Sequence, residues 1–438
     1  MEKRTLKVQK LNIDTEKNYF FGFHDIPSWN KAEDKHLILR VDDIDNPPTF
    51  QDSAEYGYIK RGEFIKCGVT RAFNFPQGSR QQWLGNSNKF IINNFNEELG
   101  VHSEIYDTNN QTKEILNFPC YILNFNTSKA YYSDYNRLHH LGGYGYRFFN
   151  QENELNSIFN DGIFVGDLLN NTSKLILSYS DFQKEIDLNI NDNNKQYFTH
   201  LSLNPEGDRL AFLHRCFLND GGISTRLCSL SLDNNKLEIL AKGYLSHFAW
   251  TDNNNILIYG RSNSNIDSIR SSKLTNHQIV RFFLPVLKKI IKLLIPSKKL
   301  NLNSWILISK KKSVVIKNLF NEDGHPMFSP TDSKLLVNDT YPDSNFKRKL
   351  YLHSMKSSSN IIICELQQLK PKKQFPSSLD KYFNGINSEV VKLIGRKQYM
   401  HTRSGIHCDF HPRWGQSGKK ISFDSNHEGK RSVYQVKL

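Results

Sequence analysis

Apolar and polar residues alternate in short runs along most of the chain, and the plainest run is Cys408 to Leu438. His411-Pro412-Arg413-Trp414 leads into a polar turn at Gln416 to Lys419 and an alternating segment from Lys420 to Phe423. A second turn at Asn426 to Gly429 precedes a last alternating segment, Ser432 to Val436. A period of two bounded by Asn, Gly and Ser turns predicts three antiparallel strands. A meander of that size buries too little to stand alone, so the pattern has to recur. With Trp414 as anchor it does recur, at Trp29, Trp83, Leu123, Leu203, Trp250 and Phe328, each followed by a turn rich in Asn, Asp, Gly, Ser or Pro and a second apolar run. Seven such hairpins at irregular spacing predict an all-β chain, a seven-bladed β-propeller.

The 438 residues are read as one propeller domain, 1–438, because propellers run long and no Pro/Gly/Ser-rich linker divides the chain. The formal charge of +14 points first to nucleic acid or membrane. Its distribution removes the first. Ser268 to Phe320 holds twelve Lys or Arg and no Asp or Glu, which leaves the remainder nearly neutral, and no nucleic-acid-binding motif is present. This stretch is read as a helical, basic insertion between blades 5 and 6. Within it, residues 279–295 (IVRFFLPVLKKIIKLLI) are too short and too charged for a transmembrane span. They suit a basic amphipathic segment lying on an anionic membrane surface, and the alternative is a helix packed on the propeller's flank. The six cysteines form no CxxC pair and the first residues have no apolar signal core, which predicts reduced thiols and a cytoplasmic protein, peripheral at the inner face of the membrane if the segment binds there.

Fixed offsets from the anchors carry the chemistry. Three residues before them stand Ile26, Arg80, Cys120, His200, His247, His325 and His411. A lone histidine is usually a satisfied structural group. Four in consecutive repeats at one offset predict a ring, because equivalent positions on the first strands of a propeller line its central channel. Eleven residues after the anchors stand Arg40, Asn94, Asp134, His214, Arg261, Asp339 and Ser425, all polar. The two offsets are expected nearly opposite each other across each hairpin, at one rim.

Converging neutral imidazoles suit a borderline divalent metal, Mn, Fe, Co, Ni or Zn. Three protein ligands and an open position are what a catalytic metal requires. Arg80, Arg215, Arg261, Arg403 and Arg413 add guanidinium forks that match carboxylates, and with His214 and Asp339 they predict a mouth for an anionic ligand. The Gly/Tyr/His loop from Arg137 to Tyr146 is too polar for a strand interior and brings Tyr144 and Tyr146 to a face as further substrate contacts.

The segments HPRW-x-x-SGKKISFDS, LNPEGDRLAFLHR and GHPMFSPTDSKLLVNDTYPD resemble the repeats of oligogalacturonate lyases, most clearly from Thr199 to Leu438. The resemblance implies a seven-bladed propeller, a channel-mouth manganese held by histidines and a glutamine, and cleavage of oligouronides by β-elimination with a further histidine as base. It would make His247 and His325 metal ligands, His200 the base and His411 a ligand or substrate contact, with Arg413 or Arg80 holding the developing charge. The chain departs from that pattern in having no glutamine beside His325, only Glu322 and Asp323 before it. The expected activity is that of a metal-dependent polysaccharide or oligouronide lyase on an acidic glycan. The alternative is a non-catalytic glycan-binding or glycosyltransferase-like component of bacterial surface-polysaccharide biosynthesis. A glycoside hydrolase fits less well, since the columns supply only Asp134 and Asp339 as carboxylates, on non-adjacent repeats, where hydrolysis needs a close pair.

Overall fold

The structure, a computed structural model, describes residues 2–3, 6–147, 155–186, 194–218, 222–262, 303–309, 312–316, 319–320, 322–371, 375–376 and 379–438. Chain contacts group into two units. Unit 1 comprises Met1–Glu154, Ile163–Leu175 and Gly324–Leu438, and unit 2 comprises Leu155–Gly162 and Ile176–Asp323.

Two short strands, β1 (Glu2–Lys3) and β2 (Gln9–Lys10), precede a first sheet of β3 (Asn18–Phe20), β4 (His36–Val41), β5 (Ala54–Lys60) and β6 (Glu63–Thr70). The second sheet is β7 (Gln82–Trp83), β8 (Lys89–Asn96), β9 (Gly100–Asp107) and β10 (Thr112–Leu116). The third is β11 (Ile122–Asn124), β12 (Lys129–Ser133), β13 (Gly162–Asp167) and β14 (Thr172–Ser178). Unit 2 holds a seven-stranded sheet of β15 (Gln196–Leu203), β16 (Arg209–Phe217), β17 (Ile223–Ser231), β18 (Leu237–Trp250), β19 (Ile256–Ser262), β20 (Ser304–Ser309) and β21 (Lys312–Val315). Back in unit 1, β22 (Met327–Phe328), β23 (Leu335–Asp339), β24 (Lys347–Ser354) and β25 (Ser359–Gln367) take β1 as a parallel edge. The last sheet, β26 (Arg413–Trp414), β27 (Lys420–Ser425) and β28 (Ser432–Lys437), takes β2 antiparallel to β28.

The chain is mostly β, and the three strands read from Cys408 to Leu438 are β26 to β28. Seven anchors fall in six sheets among the described residues. The reason is β18, which pairs with β17 through Leu237 to Gly243 except at a bulge, and with β19 from Gly243 to Trp250. One long strand thus ends the fourth copy and begins the fifth. The basic stretch 268–320 is described only from residue 303 onward, where it forms β20 and β21 and pairs Ile306 with Ile258. That part is strand, not helix, because Trp305, Ile306 and Ile308 bury against the neighbouring sheet positions. The amphipathic segment 279–295 lies outside the described residues, and no described helix is long and apolar enough to cross a membrane.

The anchors share a bond that the pattern alone does not reveal. The indole N–H of Trp83 donates to Ser28 O at 3.0 Å, that of Trp250 to Ser202 O at 3.1 Å, and that of Trp414 to Met327 O at 2.9 Å. Each acceptor sits one residue before the preceding anchor. Consecutive repeats are therefore pinned at equivalent points, with the indole body buried. In unit 1 the last repeat is tied to the first through buried Asp424. It accepts Arg413 Nη2 at 2.6 Å, Arg431 Nη2 at 3.1 Å and the backbone N–H of Phe21 at 3.2 Å.

Helices are few: α1 (Tyr135–His140), α2 (Tyr179–Lys184), α3 (Ser388–Ile394) and α4 (Arg396–Arg403) are the α-helices among the described residues. Asp134 caps α1, accepting from the N–H groups of Asn136 and Arg137. Its place in the polar column is thus that of a helix start. Helix α1 and the loop after it meet the helical C-terminal segment through His139 Nε2 on Asn384 O and Arg403 Nη2 on Gly142 O, at 3.0 and 2.7 Å.

Candidate metal centre

Three of the seven residues at the histidine offset, Arg80, His200 and His411, adopt left-handed backbone, with φ of 54°, 57° and 43°. His200 and His247 lie within breaks in strand register, between Thr199 and Ser202 and between Leu245 and Phe248. A bulge of this kind re-aims a side chain, and strained backbone held by a surrounding sheet is a common companion of functional sites.

The bulges also correct the expected pairing of columns. Where the register is regular, as in the sixth copy, Met327 pairs with Val337 and His325 therefore faces Asp339. In the fourth copy the extra residue sets His214 opposite Phe198, and in the fifth Arg261 opposite Tyr244. His214 is buried between Gln196 Oε1, 2.9 Å away, and Arg226. Burial, with the Arg226 charge second, holds its pKa well below the ordinary histidine value.

Unit 1 brings His325 and His411 together, ring centroids 4.2 Å apart and planes perpendicular. Asp409 joins them, and one ligand atom from each of His325, Asp409 and His411 lies within 4.8 Å of the others. Partner atoms fix the imidazoles. His411 Nδ1 is 2.7 Å from Gly22 O, and a carbonyl only accepts, so Nδ1 carries the proton and the basic lone pair is on Nε2. His325 Nδ1 is 2.8 Å from Asp339 Oδ1, which sets the same tautomer. A carbonyl or carboxylate behind Nδ1 is the usual support of a metal-ligating histidine.

Charge around Asp409 completes the set. Arg348 Nη1 stands 2.7 Å from its Oδ1 and His407 Nε2 3.2 Å from its Oδ2. Burial acts to raise this carboxyl, but His407 and Arg348 override it and hold the pKa well below the carboxylate range, so Asp409 is an anion. Burial, then His325, pushes His411 well below the ordinary histidine value, so its imidazole is neutral. A third imidazole, His24, has its centroid 5.4 Å from that of His325 and 6.0 Å from that of His411, with Nδ1 3.0 Å from Pro326 O. The neutral imidazole of His411, a second imidazole from His325 and one carboxylate are a donor set that fits a borderline divalent cation such as manganese or iron(II).

The other sequence-derived residues fall elsewhere. His200 and His247 stand together in unit 2, centroids 6.0 Å apart, with His247 Nδ1 3.1 Å from Asp323 Oδ1. His247 is not in the donor set found among the described residues. Arg80 is buried and bidentate on Asp25, both contacts 3.0 Å. Arg413 is buried on Asp424 and also donates to Gly22 O. These guanidiniums are committed inside the fold. Tyr146 is buried, its hydroxyl accepting from Asn93 at 3.0 Å. Tyr144 is half-buried under Arg403, whose guanidinium carbon lies 4.4 Å from the ring centre. Arg215 and Arg261 are half-buried.

Sequence reasoning passed over His24, Asp323 and Asp409, although they share a signal. Each stands five residues before an anchor, Trp29, Phe328 and Trp414 in turn. In an extended segment offsets of three and five share a face.

No protein-family model matches the chain, and no curated protein matches it in sequence. Among solved structures it is similar to oligogalacturonate lyase from Vibrio parahaemolyticus, with 11% identity, a TM-score of 0.56, and 100% of this chain and 99% of that chain covered. It is also similar to an oligogalacturonate lyase in complex with manganese (10% identity, TM-score 0.40, 100% and 98% covered). A third similar structure is the β-propeller domain of the trilobed protease from Pyrococcus furiosus (12% identity, TM-score 0.39, 79% and 76% covered). At 11% identity the first likeness is one of fold, and it supports a propeller.

Proposed function

We propose that the protein is a metal-dependent carbon–oxygen lyase acting by β-elimination on an acidic oligo- or polysaccharide, carried on seven propeller blades of which the unit 2 sheet supplies two. The observation that carries this reading is the donor set of two buried imidazoles, His325 and His411, with the carboxylate of Asp409, on a fold like that of oligogalacturonate lyase.

When bound, a divalent cation such as manganese supplies positive charge that draws electron density from a uronate carboxylate. The chain's own part is to hold that cation through two imidazole Nε2 atoms and one carboxylate, each oriented by a fixed partner: Asp339, Gly22 O and Arg348. The acidified C5 proton passes to a base, the role that the resemblance in sequence gives to His200. Its Nδ1 is 3.1 Å from Thr199 Oγ1, which steadies the ring. The C4–O bond then breaks as the electrons left at C5 form the C4=C5 double bond, and the departing O4 takes a proton from water, giving an unsaturated uronide and a free sugar hydroxyl. A positioned base contributes about a hundred- to ten-thousand-fold, so His200→Ala is expected to lose activity on that scale and keep its metal.

The test is incubation of the chelator-stripped and manganese-loaded protein with polygalacturonate and other uronate-containing glycans, following the ultraviolet absorbance of the unsaturated product. Manganese-dependent growth of that signal supports the lyase. Glycan binding without product would replace it with the non-catalytic reading.

A further inference from the structure

We infer that Arg348 and His407 are positioning residues of the metal centre, which fix Asp409 so that it offers one oxygen, Oδ2, to a divalent cation. This rests on the donor set described above and adds what decides its geometry.

A carboxylate between two imidazoles can chelate with both oxygens, bind with one, or rotate away. Here the choice is constrained from two sides. The Arg348 guanidinium is buried and forms an ion pair with Oδ1, Nη1 standing 2.7 Å away. The same Nη1 donates its hydrogen bond to Thr340 O at 2.9 Å, so the guanidinium is held by the backbone just past β23. Oδ2 faces the cluster, 4.0 Å from His411 Nε2. His407 Nε2 approaches Oδ2 at 3.2 Å, and as an ionised carboxylate only accepts, that nitrogen carries the proton. Behind it stands His401 on α4, ring centroids 5.0 Å apart at 78°. An edge-on imidazole there limits rotation of His407. Helix α4 thus contributes His401 to the support of a ligand.

The arrangement also sets charge. Arg348 pairs its charge with the Asp409 carboxylate. Supporting partners of this kind change metal affinity about 10- to 100-fold when removed.

The experiment uses the full chain stripped with chelator and titrated with Mn²⁺ alone, comparing wild type, His407→Gln and Arg348→Lys, with unfolding of the metal-free forms followed in parallel. The expected result is wild-type binding and an affinity lower by about 10-fold or more in each variant, together with a smaller metal-induced rise in Tm. A purely structural role would lower the Tm of the metal-free form and leave affinity unchanged, and that result overturns the inference. Arg348 is buried and its variant can fail to fold; His407 is half-buried, and His407→Gln keeps the test decisive. A wild type that binds no Mn²⁺ overturns the donor set itself, an outcome distinct from equal binding by all three forms.

Discussion

Asp339 accepts hydrogen bonds from both the backbone N–H and Nδ1 of His325 through a single oxygen, Oδ1, each at 2.8 Å. Its other oxygen accepts the backbone N–H of His411 at 3.2 Å. One buried carboxylate thus aims both imidazoles of the candidate metal centre from the sixth and seventh repeats.

Asp339→Asn is expected to weaken Mn²⁺ binding by about 10- to 100-fold, because an amide turned to serve the backbone no longer holds Nδ1–H with a charge. Hydrogen bonds to charged groups contribute about 1.5–3 kcal/mol, so urea unfolding should fall by a similar amount. Unchanged affinity in calorimetric titration would remove Asp339 from the centre.

The repeat-to-repeat indole bonds predict a graded series. Trp83→Phe, Trp250→Phe and Trp414→Phe each remove one hydrogen bond between neighbouring repeats, at a cost of about 0.5–1.5 kcal/mol. Trp29 is the contrast. Its Nε1 has no hydrogen-bond partner among the described residues, and Lys420 Nζ lies 3.5 Å from its ring centre. Trp29→Phe keeps an aromatic face under that lysine and is expected to cost less than any of the three. Chemical denaturation of all four variants decides this; equal losses would mean that ring size, and not the N–H bond, sets the cost.

Asp424 is the one carboxylate between Arg413 and Arg431, all three buried. Asp424→Asn leaves two guanidiniums uncompensated in the interior and is expected to destabilise by about 3–5 kcal/mol. Replacing Arg413 by Met should cost less, since Arg431 still pairs with the acid. A stability ranking in the reverse order would contradict this account. The same series asks whether Arg413 has any part in turnover beyond holding the fold.

Acid should destabilise the protein in a defined window. Burial first, then Arg413 for His36 and Arg226 for His214, holds both imidazoles well below the ordinary histidine value. Their folded pKa is depressed, so protonation favours the unfolded chain. The stability they contribute is fully present above about pH 6.5 and is lost progressively as pH falls below that value. Unfolding free energies measured between pH 8 and pH 5 should decline toward acid, and His214→Gln should flatten the decline. A profile flat down to pH 5 in the wild type would sink the prediction.

The amino-acid sequence by itself determined the strands and their recurrence. Ile421 and Phe423 alternate within β27, and the turns flanking it are built of Gly, Ser and Asn, so a period of two and local turn chemistry suffice to write β26 to β28. The anchors, the polar columns and two of the three donors, His325 and His411, follow from the same periodicity. What lies beyond it needed the tertiary structure. Asp409 is a candidate ligand because Arg348, on β24, and His407, with His401 of α4 behind it, both reach its carboxylate. The bulges at His200 and His247 move His214 and Arg261 out of register, since one extra residue shifts every later pairing. Whether an arginine such as Arg80 or Arg413 meets a ligand or a buried carboxylate depends on Asp25 and Asp424 arriving from other repeats. Local pattern carries the period of the backbone; the partners that fix charge and direction come from residues distant in sequence, and only the packed chain brings them within hydrogen-bonding range.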